Sequence, residues 1–154
     1  MTEATIQHRI HKERRTFDRL LVPFSVECLN AAPNDLDSVI EKGLREVNRF
    51  FGSDRVLLWE LSEDEQQAHL THCYAEPGAE PPECALLSEN LPFIFGKLRT
   101  FENIYVSKLR ELPRKARTDR HHFERAGIRS FVVIPLAAGG ALAASLSLPA
   151  RAAY

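Results

Sequence analysis

Hydrophobic positions along the chain fall into stripes and alternations separated by breaker-rich segments. In residues 10–29, Phe17, Leu20, Leu21, Phe24 and Cys28 recur at three- and four-residue spacing, which predicts an amphipathic helix kinked at Pro23. Leu36, Val39, Ile40, Leu44, Val47 and Phe50 form a second helical stripe, with Asn34 or Asp35 as its cap and Gly52 as its stop. Residues 56–61 are apolar at nearly every position, as in a strand covered on both faces, and so belong in the middle of a sheet. The charged turn 62–67 leads into 68–75, where Leu70, His72 and Tyr74 alternate with His69, Thr71 and Cys73, the pattern of a hairpin partner. Pro77, Gly78, Pro81 and Pro82 then make a surface loop, of a length that often lies over a binding site.

A short helix is predicted over 91–99, with Pro92 in its first turn, and a brief strand over 103–107. Residues 114–126 read as a polar helix that meets the core through Ala116 and Phe123 and ends at Gly127. Strands over 129–136 and 141–148 are joined by the Gly139-Gly140 turn. On the last strand Leu142, Ala144, Leu146 and Leu148 share one face, and Ala141, Ala143, Ser145 and Ser147 share a small face that lets something approach closely. The order of elements predicts an α+β fold with a twisted antiparallel sheet of about five strands.

A length of 154 residues, 44% of them hydrophobic, is the size of one domain with one core, expected over 10–154 behind an N-terminal tail at 1–9. Lys and Arg number 20 against 21 Asp and Glu, and without a basic excess no nucleic-acid partner is expected; the basic run 8–15 reads as a solvated helix start. The three cysteines, Cys28, Cys73 and Cys84, are odd in number and form no Cys-x-x-Cys pair, which argues against a disulfide framework or a cysteine zinc site and fits a reducing cytoplasm. No apolar run reaches the roughly 20 residues that a spanning helix needs, so no membrane partner is expected.

The segments 36–51, 52–61, Glu111-Leu112-Pro113 and 127–136, followed by Gly139-Gly140 and the last strand, resemble the GAF domain in their order and spacing, in particular the copies at the N-terminus of bacterial sensor histidine kinases and related regulators. The resemblance implies N-terminal helices on one face of the sheet and, on the other, a pocket roofed by the helices at 91–99 and 115–126. The family usually continues into a long C-terminal helix, whereas this chain ends six residues after Leu148, so a truncated domain is expected. It often has Gly where Ala144 stands, a mild difference in local packing.

The implied function is sensory: a pocket binding an unidentified small molecule, lined by Trp59, His72, Phe93, Phe95, Ile104, Phe123 and Phe131, with His122 in the roof. The sequence names neither the ligand nor a cofactor. His69 and His72 are three apart on a strand, point to opposite faces and cannot share a metal. The family's free methionine sulfoxide reductases carry their catalytic cysteine in the stretch corresponding to 112–119, which here holds none, and a sulfoxide cannot be attacked without a thiolate. Bilin attachment is disfavoured because the helix before Gly127 has no cysteine. Cyclic-nucleotide binding would draw on Arg120 and Arg129, but the family's Asn-Lys-Phe-Asp-Glu signature is absent. No catalytic motif stands out. The rival to a sensor is a ligand-free dimerisation module in which Phe17, Leu20, Leu21 and Phe24 pair with their own copy; a homodimer through the N-terminal helix is expected in either case.

Overall fold

Helix α1 spans Leu36–Phe51 and turns Gly43, Leu44, Val47 and Asn48 inward. It stops where Gly52 takes a φ of 64°, a left-handed conformation open to a residue without a Cβ. The Gly52 N–H then reaches back to the Asn48 carbonyl at 2.7 Å. At the other end Asp35 holds the cap position, but its side chain makes no capping bond. Asn48 is buried with both ends of its amide satisfied: Nδ2 donates to Glu76 Oε1 and Oδ1 accepts from Ser53 Oγ, each at 2.7 Å. These bonds fasten the helix end to the start of the sheet.

The chain is seen here as a computed structural model that describes residues 26–27, 30–79 and 83–151. The expected tail at 1–9, the stripe Phe17, Leu20, Leu21 and Phe24, and Cys28 lie outside these residues. Among the described residues six strands form one antiparallel sheet: β1 (Arg55–Leu61), β2 (Gln67–Ala75), β3 (Ala85–Leu87), β4 (Ile104–Val106), β5 (Ser130–Ala138) and β6 (Ala141–Ala150). Their spatial order is β3-β2-β1-β6-β5-β4. The unforeseen sixth strand is β3, which pairs Ala85, Leu86 and Leu87 with His69, Ala68 and Gln67; three residues carry too little periodicity to read. Helices α2 (Pro92–Arg99) and α3 (Arg117–Arg125), with 3-10 turns at Leu109–Glu111 and Arg114–Ala116, complete the structure. No helix among the described residues is long and apolar enough to cross a membrane.

The sheet is apolar on both faces because β1, β5 and β6 are apolar at successive positions. Val56, Val132 and Leu148 meet Leu44 and Val47 of α1 on one side. Leu57, Trp59, Phe131 and Val133 meet Phe95, Leu98 and Phe123 of α2 and α3 on the other. The helix-side cluster is small and Leu148 is fully buried at its centre. Leu148→Ala is therefore expected to lower stability by about 2–5 kcal/mol, read from chemical denaturation midpoints.

Candidate functional site

Between the second face of the sheet and the roof of α2 and α3 lies a cavity of about 230 Å³. Leu57 and Trp59 from β1, Phe131 and Val133 from β5, and Ser145 and Ser147 from β6 form its floor. Ile94, Phe95 and Leu98 of α2 and His122 and Phe123 of α3 form its roof. The small face of the last strand is what opens the floor: Ser145 and Ser147 alternate with Leu146, which packs towards α1. Trp59 Nε1 donates to Ser147 Oγ at 2.7 Å, which fixes the indole and satisfies its one donor. Phe123 stacks on Phe131 at 4.3 Å between ring centres.

Polar groups gather near the start of β1. Arg55, its first residue, lines the cavity and is 6% exposed. Glu83 and His122 join it in the wall, with His122 Nε2 3.6 Å from Glu83 Oε2. A second, polar hollow of about 400 Å³ adjoins this end, sharing Glu83, His122 and Ala126 and adding Asn90, Thr118, His121 and Arg125. The charge of Arg55 also reaches the half-buried Cys73 on β2: burial pushes the Cys73 thiol pKa up, and the guanidinium draws it partly back. That raised pKa makes Cys73 a poor nucleophile. Cys84 is exposed.

The roof is held by an unusual cap. Leu91 precedes α2 without a side-chain cap, and Pro92 opens the helix without an N–H. The next two donors are taken by Asp119 of α3, whose Oδ2 accepts from Phe93 N at 3.2 Å and Oδ1 from Ile94 N at 2.9 Å. Asp119 is completely buried. Burial pushes its carboxyl pKa above the ordinary aspartate range, with the Ile94 and Phe93 N–H groups pulling it back in part.

The eight residues expected at the site divide. Trp59, Phe95, His122, Phe123 and Phe131 all line the cavity. Ile104 is buried in the same apolar layer, but it sits on β4 at the sheet edge, beyond the cavity wall. Phe93 lies on an outer groove, with the ammonium groups of Lys115 and Lys97 at 5.4 and 5.9 Å from its ring centre. His72 is on the opposite face of the sheet, its Nε2 3.2 Å from Asp37 Oδ1 of α1. A register shift explains it: Trp59 pairs with Leu70 but Leu58 pairs with His72, so Thr71 is an extra residue and the alternation reverses. Arg55, Glu83, Ser145 and Ser147 were not expected at the site. The serines were legible as the small face of β6, whereas Arg55 and Glu83 carried no local signal. Of the two arginines considered for a phosphate, Arg120 donates through Nη2 to the Leu112 carbonyl, and Arg129 is exposed beside β5.

This architecture agrees with a sequence match: the family model for the GAF domain covers residues 35–152. The chain belongs to the GAF family. No curated protein matches its sequence significantly. Among solved structures, the GAF domain resembles the biliverdin-bound far-red absorbing dark state of JSC1_58120g3, with a TM-score of 0.70, 17% identity, and 88% of this chain and 85% of that one covered. The phycocyanobilin-bound GAF domain from a cyanobacterial phytochrome gives a TM-score of 0.72 at 13% identity, covering 89% and 81%. The chromophore-binding domain of the bacteriophytochrome RpBphP3 from R. palustris gives 0.68 at 12% identity, covering 90% of this GAF domain and 54% of that chain. At such identities the likeness is one of fold.

The interhelical cap yields a test. Asp119→Ala leaves two buried N–H groups without acceptors and is expected to cost about 1–3 kcal/mol in denaturant unfolding. Because the folded state raises the Asp119 pKa, folding favours the protonated carboxyl, so its contribution is full below the unfolded pKa and is lost as pH rises through the folded value. The stability of the wild type relative to Asp119→Asn should therefore fall as pH rises from about 4 towards neutrality. A difference that grows over this range would contradict the assignment.

Proposed function

We propose that this GAF domain is a sensory module that binds a small molecule in the cavity between its sheet and roof helices, as the cytoplasmic input unit of a bacterial sensor kinase or similar regulator, with no catalysis of its own. The observation that carries this reading is the cavity itself: an apolar chamber with a small set of polar groups at one end, the usual make-up of a ligand site. Bilin binding, which the titles of the structural neighbours state for those proteins, fits this chain less well. The cavity, at about 230 Å³, is smaller than the roughly 300 Å³ at which drug-sized ligand sites begin. Helix α3 also has no cysteine to anchor a chromophore. The ligand is accordingly smaller than a tetrapyrrole, and its binding energy acts by favouring one arrangement of the roof over another.

Native mass spectrometry of the protein from its own host is expected to show a co-purifying small molecule that is lost in Trp59→Ala and Phe123→Ala. Ser145→Leu fills the floor of the chamber without removing an aromatic wall, and should abolish ligand-induced thermal stabilisation. In the wild type a ligand at about one hundred times its Kd adds about 2.7 kcal/mol. A wild-type protein that carries nothing, and that no metabolite, nucleotide or haem stabilises, would sink the sensory reading.

A further inference from the structure

Strand pairing sets Trp59 of β1 directly opposite Ser145 of β6, and Leu57 opposite Ser147. Cross-strand partners present their side chains on one face of a sheet, and all four line the cavity. The two serines nevertheless differ. Ser147 Oγ is committed to the Trp59 indole N–H at 2.7 Å. Ser145 is only 3% exposed, and among the described residues its hydroxyl meets no hydrogen-bond partner. A buried hydroxyl left unpaired costs free energy, and this one faces the cavity under α2, which packs over β6 with Ile94, Phe95 and Leu98. The charged groups of the wall stand elsewhere. Arg55 is four residues from Trp59, and so about 13 Å along the strand from the row that holds Ser145.

We infer that the cavity takes an uncharged, flat aromatic molecule with one hydroxyl or carbonyl oxygen, its ring against Trp59 and its oxygen hydrogen-bonded to Ser145 Oγ. This rests on the reading of the cavity as a ligand site and assigns its chemistry. A serine hydroxyl both donates and accepts, so either kind of oxygen satisfies it. An aromatic body gains stacking and apolar burial against Trp59 and Phe95. A charged group at Ser145 would instead be buried without a counter-ion, at a cost that one hydroxyl does not offset. An apolar protein cavity of roughly 150 Å³ holds one benzene, so about 230 Å³ leaves room for a second fused ring.

The test is fluorescence titration of the wild type and Ser145→Ala at neutral pH with naphthol, methylnaphthalene and naphthoate, all substituted at the same ring position. Naphthol and methylnaphthalene differ by a hydroxyl in place of a methyl group. The ratio of naphthol to methylnaphthalene affinity is expected to fall at least about fivefold in Ser145→Ala, the worth of one neutral hydrogen bond, while methylnaphthalene binds both proteins alike. Naphthoate should bind the wild type at least about tenfold more weakly than naphthol. Ser145→Ala should also keep the melting temperature of the unliganded wild type, because the hydroxyl it removes holds nothing in the fold. Three results would each overturn the assignment while leaving the cavity as a ligand site: a ratio unchanged in Ser145→Ala, naphthoate binding as tight as naphthol, or a variant that is unfolded or clearly destabilised without ligand. Failure of every probe to bind a protein that carries another small molecule from its host would also overturn the assignment alone. The same failure in a protein that carries nothing would overturn the cavity reading and this inference together.

Discussion

The structure depends on a constraint set by three neighbouring strands. In β1, β6 and β5 side chains alternate at period two, and both resulting faces are apolar, so the sheet must be covered twice. Helix α1 covers one face with Leu44 and Val47 against Val56, Val132 and Leu148, and packs it closed. The other face is covered by shorter helices, and β6 gives it serines instead of leucines at positions 145 and 147. The same strand thus packs Leu146 and Leu148 towards α1 and leaves a chamber over Ser145 and Ser147, while the extra residue at Ala143 breaks the expected alternation and sends Leu142 to the chamber side of the sheet. Trp59 sits where these two demands meet: its ring supplies apolar wall and its N–H is held by Ser147.

The elements legible in the sequence were those whose burial imposes a period. The 3.6-residue stripe of α1 reflects the packing of its second half, Leu36 at its start being exposed, and the doubly apolar run of β1 reflects neighbours on both faces of the sheet. Features that depend on one contact at long range left no such trace. The extra residue at Thr71 is a local change of pairing, and it sends His72 to α1 although the letters around it alternate evenly. Asp119 reads as one charge among several on a polar helix, because its partners are backbone N–H groups of another helix and backbone has no sequence signature. Arg55 opens a strand that is apolar from Val56 to Trp59, and a charge at a strand end is ordinarily solvated. Of the five expected residues that line the cavity, Trp59, Phe95, Phe123 and Phe131 were recoverable because they are buried aromatics whose face alone had to be assigned.

The mechanical consequence lies in how α3 is attached. Its apolar contribution within the helix is essentially Phe123, and it is otherwise held by polar bonds: Arg120 to the Leu112 carbonyl, and Asp119 to the first donors of α2. Apolar contacts tolerate sliding, whereas hydrogen bonds weaken steeply with displacement and misalignment. Asp119, His122 and Phe123 are spaced three and four residues apart and share one face of the helix. The groups that touch the cavity, His122 and Phe123, are thus rigidly linked to the group that caps α2. A ligand that shifts this face must either carry the N-terminus of α2 with it or break two bonds to a buried carboxylate. Because that second alternative costs about 1–3 kcal/mol, movement of the two roof helices together is the less costly response.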